Sequence, residues 1–198
     1  HLLALLRRHG ATEPAEGATH YFGAIGKHML KWESHTEFVT YTVFAQGIAD
    51  MPFDGATFDM FPSDWLDHIP GERVTSALIR VEELPERVAH PGSGAAAGPE
   101  SLPRSVQEKL DQWLVPDSVA ASWVVDHSAI VAGDFRIDTK GHMRFAVFAQ
   151  PGTGPRRVGR IVQRLTEIET YKTMALLGLP VARNLSRRIN TIEDELTG

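Results

Sequence analysis

The fold is decided by the stretch Ala129-Ile130-Val131-Ala132-Gly133-Asp134-Phe135-Arg136-Ile137-Asp138, which a short turn separates from Met143-Arg144-Phe145-Ala146-Val147-Phe148-Ala149. Both runs are rich in apolar residues and alternate with a period of two, so they predict strands at 129–138 and 143–149. Between them, Thr139-Lys140-Gly141 is typical of a turn in which the glycine takes a positive φ. We therefore expect an antiparallel hairpin.

The same periodicity predicts further strands before this hairpin, and the first two of them also read as a hairpin. The predicted strands are 27–33, 37–44, 73–82 and 119–125, and the predicted short helices are 2–8, 62–68 and 105–113. Neighbouring strands pair and the helices cluster at the ends. This order predicts an α+β fold, with an antiparallel sheet of about five or six strands and two C-terminal helices. It disfavours a Rossmann-like dinucleotide fold.

The chain is expected to have two parts: an α+β head at residues 1–150 and a helical extension at residues 151–198. Within the head, residues 84–104 contain Pro91-Gly92-Ser93-Gly94 followed by three alanines. Such a segment has too little apolar surface to offset the entropy of ordering it. We expect a mobile surface loop there.

The helical extension ends in a narrow apolar stripe. Pro180 is expected to break the extension into two helices. In the second, apolar residues recur at heptad spacing, and we call them the heptad seam: Leu185, Ile189, Ile192 and Leu196. A stripe this narrow needs a partner helix, so we expect self-association or further helices beyond the chain.

Composition limits the possible functions. The chain has 198 residues, a net charge of −5 and no cysteine, which excludes disulfides, thiolate catalysis and Cys-ligated metal sites. The acidic balance argues against nucleic-acid binding. One segment is basic, however: residues 156–188 contain eight Lys or Arg against two Glu. It is either a solvated helix face or a surface for an anionic partner.

Polar residues on the 129–149 hairpin form the strongest candidate ligand site. Strict alternation would place Asp134, Arg136 and Asp138 on one face, with Arg136 opposite Arg144 or His142 according to the register. Such a face could be functional, binding an anion or performing acid–base chemistry. Alternatively, it is a solvated face with weak ion pairs.

A second candidate lies between the first two strands. His35 and Glu37 are two residues apart, so on a strand they share a face. Together with His28 or His142 they could hold a divalent metal. The nine histidines are scattered, however, without a His-Glu-x-x-His motif, which favours ordinary surface and turn positions. We therefore expect no metal site.

A third candidate precedes the helical extension. Gly152, Gly154, Arg156 and Arg157 surround a helix start, where backbone N–H groups and two guanidinium groups can cradle an anion. The sequence is not a P-loop, and Pro155 is also simply a good first helical residue. Nucleophile motifs are missing, and nothing in the sequence predicts a cofactor or a catalytic residue.

Several phrases resemble the membrane-anchored bacterial proteins of the domain-of-unknown-function family 3422. They are Trp32-Glu33-Ser34-His35-Thr36-Glu37, Ala132-Gly133-Asp134-Phe135-Arg136, Gly141-His142-Met143-Arg144-Phe145 and Glu169-Thr170-Tyr171-Lys172-Thr173. The resemblance implies a soluble N-terminal region, then a long helical region and membrane-spanning segments. It implies no catalytic residues, because the family has none agreed.

Three functional hypotheses follow. The preferred one is a non-catalytic, membrane-tethered assembly module with a cytoplasmic head, in which Arg156, Arg157, Arg160 and Arg164 face an anionic partner. The second is a metal-assisted hydrolase that uses His35, Glu37, Asp134, Arg136 and His142. The third is a sensor in which the hairpin face and residues 152–157 bind a small molecule or an anion.

No run in the chain approaches the ~18–20 apolar residues that a bilayer requires.

Overall fold

The structure is a computed structural model that describes residues 1–47, 49–54, 61–88 and 102–197. The chain divides into two compact units, His1–Glu72 and Arg73–Gly198. Each unit has its own sheet, and the α+β class predicted from the sequence is confirmed.

The first unit is a three-stranded antiparallel sheet packed by two helices. Its elements are α1 (Leu2–Arg8), β1 (His20–Ile25), β2 (His28–Ser34), β3 (Val39–Phe44) and α2 (Ser63–Asp67), with strand order β1-β2-β3. The predicted hairpin corresponds to β2 and β3, whereas β1 was not predicted. Leucines one helical turn apart on α1, Leu2, Leu5 and Leu6, pack with Leu30 and Trp65 in the core.

The second unit is a four-stranded mixed sheet with order β4-β7-β6-β5. Its elements are β4 (Ala77–Glu83), α3 (Arg104–Trp113), a 3-10 turn (Pro116–Ser118), β5 (Ala120–Val124), β6 (Ala129–Gly133), β7 (Met143–Ala149) and α4 (Pro155–Thr197). Strand β4 runs parallel to β7, and the other pairs are antiparallel. The predicted single antiparallel sheet is therefore wrong. The long connection through α3 lets β4 reach the far edge of the sheet.

Helices cover both faces of the second sheet. On one face, the Trp113 ring of α3 stacks on Phe148 with centroids 5.8 Å apart. On the other, Ile161 of α4 packs against Ala129 and Val147 in a buried cluster. This arrangement explains why the strand β7 is buried along nearly its whole length.

The C-terminal region is one helix rather than the two that were predicted. Helix α4 runs from Pro155 to Thr197 with Pro180 inside it. Proline removes one backbone donor, but the flanking Leu, Ala and Arg residues are strong helix formers that continue the helix on both sides. No helix in the described part of the chain combines the length and the hydropathy needed to cross a bilayer.

The predicted loop at 84–104 falls mostly on residues 89–101, which lie outside the described residues. Its two described ends are held by other parts of the unit. The Leu84 N–H donates to Ala149 O at 2.8 Å, and the buried Gln150 side chain bonds both the N–H and the C=O of Val88. Helix α3 begins at Arg104.

Candidate functional site

The connection between β6 and β7 contains the hairpin residues singled out from the sequence. Strand β6 ends at Gly133, so the predicted strand 129–138 is wrong in its second half. Phe135 has φ of 52°, in the left-handed region, which breaks the extended backbone immediately after Asp134. Asp134, Arg136 and Asp138 therefore do not line one strand face.

Asp134 is the most buried charged residue of this connection, with 1% of its surface exposed. Its carboxylate forms an ion pair with the guanidinium of Arg144 on β7. The same carboxylate accepts hydrogen bonds from the Val115 N–H at 3.2 Å and the Arg136 N–H at 3.3 Å. A buried carboxylate needs this many donors to offset its lost hydration. We call Asp134 and Arg144 the buried ion pair.

Arg136 was expected to lie opposite Arg144 or His142. In the structure, Arg136 and His142 each bond a different residue. The Arg136 Nε–H donates to Ser118 Oγ at 2.8 Å, which ties the connection to the 3-10 turn. The His142 ring is buried, and its Nδ1 lies 2.8 Å from Ser76 Oγ. Burial lowers the pKa of His142, and nearby cations lower it further, while the Asp138 carboxylate partly opposes them.

Asp138 organises the turn that precedes β7. Its Oδ1 accepts from the N–H groups of Lys140 and His142, both at 2.8 Å. Partial burial acts to raise the pKa of Asp138, but these backbone donors and nearby cations outweigh it and lower the pKa. Gly141 has φ of +84°, as predicted, and a Cβ there would meet the guanidinium end of the Arg73 side chain. The positive φ favours glycine at this position.

His35 and Glu37 belong to the first unit, whereas the other hairpin candidates belong to the second. Both residues lie in the exposed turn between β2 and β3, not on a strand. The His35 ring stacks on Phe38 with centroids 4.4 Å apart. Among the residues that the structure describes, no three His, Asp or Glu side chains are grouped closely enough to hold a metal ion.

The glycine-rich turn before α4 is bonded mainly to its own unit. Gly152 and Gly154 have φ of +80° and +79°. The Thr153 hydroxyl oxygen lies within hydrogen-bond distance of two backbone acceptors, Gln150 O (2.7 Å) and Ser128 O (2.9 Å). Arg157 Nη1 donates to Ser128 Oγ at 3.0 Å. The polar groups of this turn thus stabilise the start of α4, and anion binding there stays a prediction.

Three arginines continue from this turn along α4. Arg156, Arg160 and Arg164 are exposed and four residues apart, so they lie along one side of the helix. No carboxylate among the described residues forms an ion pair with them. Their charge is therefore available to an anionic partner, as the basic segment suggested.

Helix α4 has buried side chains in its first half and exposed side chains in its second half. Ile161 and Glu169 are buried, and Glu169 accepts from Lys172 Nζ at 2.5 Å and Thr75 Oγ1 at 3.3 Å. From Ala175 to Glu193, every described side chain is exposed. This part includes three residues of the heptad seam, Leu185, Ile189 and Ile192; the side chain of the fourth, Leu196, lies outside the described residues.

Comparison with protein-family models assigns the chain. The model described as "Protein of unknown function (DUF3422)" matches residues 1–198. The chain belongs to the DUF3422 family. No curated protein and no solved structure matches it. Membrane attachment of DUF3422 proteins and a cytoplasmic position for the head stay predictions, because they rest on the resemblance alone.

Sequence reasoning missed several polar residues of this DUF3422 chain. One cluster lies between α3 and the sheet, where Glu82 pairs with Arg80 at 2.9 Å and with Lys109. Burial acts to raise the pKa of Glu82, but the two cations outweigh it and lower the pKa. Arg80 and Glu82 alternate on β4, which signals a shared face. Nothing local to the sequence signals that α3 covers it.

Proposed function

We propose that this chain is a non-catalytic assembly module that associates with a second copy of itself through the C-terminal half of α4. The observation that carries the proposal is that every described side chain of α4 from Ala175 to Glu193 is exposed. An isolated helix without tertiary contacts is only marginally stable in water. A partner helix would supply the missing contacts.

The exposed part of α4 is unusually apolar for a solvated helix. Its large apolar side chains are Leu176, Leu177, Leu179, Leu185, Ile189 and Ile192, each 38–55% exposed. Full burial of one such side chain contributes about 1.5–3 kcal/mol. The heptad seam residues repeat at the spacing that two-stranded coiled coils use. Several together would offset the entropy lost on association.

The polar candidates support a structural role for the rest of the chain. The Asp134 carboxylate forms an ion pair with Arg144 and accepts hydrogen bonds from two backbone N–H groups, and His142 is buried beside Ser76. A general acid or base must reach a substrate proton. These side chains instead bond residues of their own unit, which favours assembly over acid–base catalysis.

The test is the molar mass of the 198-residue chain by sedimentation equilibrium. We expect the native chain to have at least twice the monomer mass, and the variant L185S/I189S/I192S to be monomeric with its sheets intact. The variant L176S is the matched control, since Leu176 is 54% exposed and Leu185 51%. A monomeric native chain, or an unchanged mass in the triple variant, would overturn the proposal.

A further inference from the structure

We infer that the two copies pair in parallel and in register along α4, from Ile168 to Leu196. This inference rests on the proposed function and adds the orientation, the extent and the specificity-determining residues of the interface. Residues on one side of α4 alternate at spacings of three and four over this whole length, and we call them the extended seam. They are Ile168, Tyr171, Ala175, Gly178, Ala182, Leu185, Ile189, Ile192 and Leu196.

The extended seam begins where α4 still packs on its own sheet, yet its first residues are exposed. Ile168 is 65% exposed and Tyr171 59%, whereas Glu169, which lies between them in the sequence, is 5% exposed and bonds Thr75 of its own unit. The sheet-packing side and the extended seam therefore occupy different sides of one helix. A second helix can lie on the extended seam without displacing the sheet.

The charges that flank the extended seam select the orientation. In heptad notation Leu185 and Ile192 are d positions, Arg188 is a g position and Glu193 is the following e position. In a parallel pair, the g residue of one heptad lies beside the e residue of the next heptad in the partner. Arg188 of each copy would thus meet Glu193 of the other. Antiparallel pairing sets g beside g and e beside e, so Arg188 would no longer meet Glu193.

Arg164 sets the amino-terminal limit of the pairing. Extending the spacing back from Ile168 brings Arg164 to the next d position, where it is exposed and has no ion pair among the described residues. Two arginines facing each other at the centre of a coiled coil repel, because neither charge is compensated. One step earlier, Ile161 is already buried against its own sheet. The two helices must therefore separate before Ile168.

The middle of the extended seam accommodates Pro180. Ala175, Gly178 and Ala182 are small, which allows two backbones to approach closely there. Pro180 itself occupies an f position, the one most distant from the partner, so its ring does not enter the interface. The bulky residues at the two ends supply the apolar contact.

Orientation can be tested by disulfide cross-linking, because the native chain has no cysteine. Ile168 and Ile192 are 24 residues apart, which is about 36 Å along a helix. In parallel pairing, oxidation of I168C alone and of I192C alone should each give a covalent dimer. In antiparallel pairing neither variant links to itself, and their mixture links when the pair is centred near Pro180. The variant L176C, equally exposed but outside the extended seam, should stay monomeric.

Charge reversal tests the proposed pairing of Arg188 with Glu193 of the other copy. R188E or E193R alone should weaken association roughly tenfold, because each places like charges together. The double variant R188E/E193R should restore it. R183E is the control, since Arg183 is exposed at an outer b position. No rescue by the double variant overturns the assignment of this pair.

The outcomes separate this inference from the proposed function. Cross-linking of the mixture only, or an assembled chain in which neither single-cysteine variant cross-links, overturns the parallel register and leaves self-assembly intact. A native chain that stays monomeric overturns both. Self-linking of I168C and I192C together with charge rescue supports both.

Discussion

At the scale of single residues, the buried ion pair is the most consequential feature. The side chain of Asp134 is fully buried and that of Arg144 is 18% exposed. Removing one partner leaves the other charge without compensation in a low-dielectric environment, which costs more than the pair contributes when intact. Asp134 also fixes the backbone of the connection, because it accepts from the N–H of Arg136.

We predict that D134N lowers the free energy of unfolding by about 3–5 kcal/mol, measured by urea denaturation. The double variant D134N/R144M should recover much of this loss, because it leaves no uncompensated charge. E108Q, which removes an exposed partner of Arg104, is the control and should change stability very little. Equal stability of D134N and the native chain would contradict the role given to the pair.

His142 should make the stability depend on pH. Its pKa in the folded chain lies below the ordinary value of 6.5, chiefly because it is buried. Between the lowered pKa of the folded chain and the ordinary pKa of the unfolded chain, the unfolded chain binds more protons. The contribution of His142 to the free energy of unfolding is therefore complete above pH 6.5 and decreases as the pH falls below 6.5. In urea midpoints between pH 7.5 and pH 5.5, H142Q should lose less stability on acidification than the native chain.

His35 provides the control for this measurement, since it lies in an exposed turn. H35Q should follow the pH profile of the native chain. If H142Q and the native chain have parallel profiles, burial of His142 does not contribute to the pH dependence.

At the scale of elements, Pro180 in α4 is the local feature whose effect was predicted incorrectly. It was expected to end a helix, yet α4 continues through it. The residue still lacks the donor that an interior helical position normally provides, so the helix is weakest there. Leucine, alanine and arginine on either side of Pro180 have high helix propensity and continue α4, although Gly178 and Val181 do not favour a helix.

We predict that P180A stabilises the C-terminal half of α4, since proline is about 3 kcal/mol less favourable than alanine inside a helix. Amides from 178 to 184 should exchange more slowly with deuterium. P155A is the matched control, because Pro155 is the first residue of α4, where no intrahelical donor is required. Unchanged exchange in P180A would indicate that Pro180 does not limit this helix.

The strands illustrate which elements can be predicted from local pattern. Strands β2, β3, β5 and β7 follow from β-branched and aromatic residues in alternation, and they lie within a few residues of the predicted bounds. Strand β1 was missed because Gly23 interrupts its alternation. Strand β6 was predicted too long because the burial of Asp134 and the positive φ of Phe135 depend on partners outside the strand.

The candidate site shows the same division. Asp134 and Arg144 were both selected from the sequence as polar residues on apolar strands, but their pairing was not anticipated. The pair depends on the backbone break at Phe135 and on the N–H of Val115, which is distant in sequence. Residues such as Glu82 and Glu169 were not selected, because it is helix packing that partly buries Glu82 and buries Glu169.

At the scale of the whole molecule, the chain combines an acidic balance with a basic, apolar terminal helix. The net charge is −5, whereas all the Lys and Arg side chains of the basic segment are exposed on α4. Net charge limits nonspecific association, and the concentration of apolar surface on one helix directs it to one place. This distribution is consistent with the assembly that we propose.

The sequence by itself determined the α+β class, the position of most strands and the apolar spacing of α4, because these depend on periodicities within one element. Only the tertiary structure decided that there are two sheets, that β4 is parallel to β7 and that Asp134 pairs with Arg144. The physical reason is that strand partners and buried charges are chosen by contacts between distant residues. No local pattern records which distant residue will fill a given position.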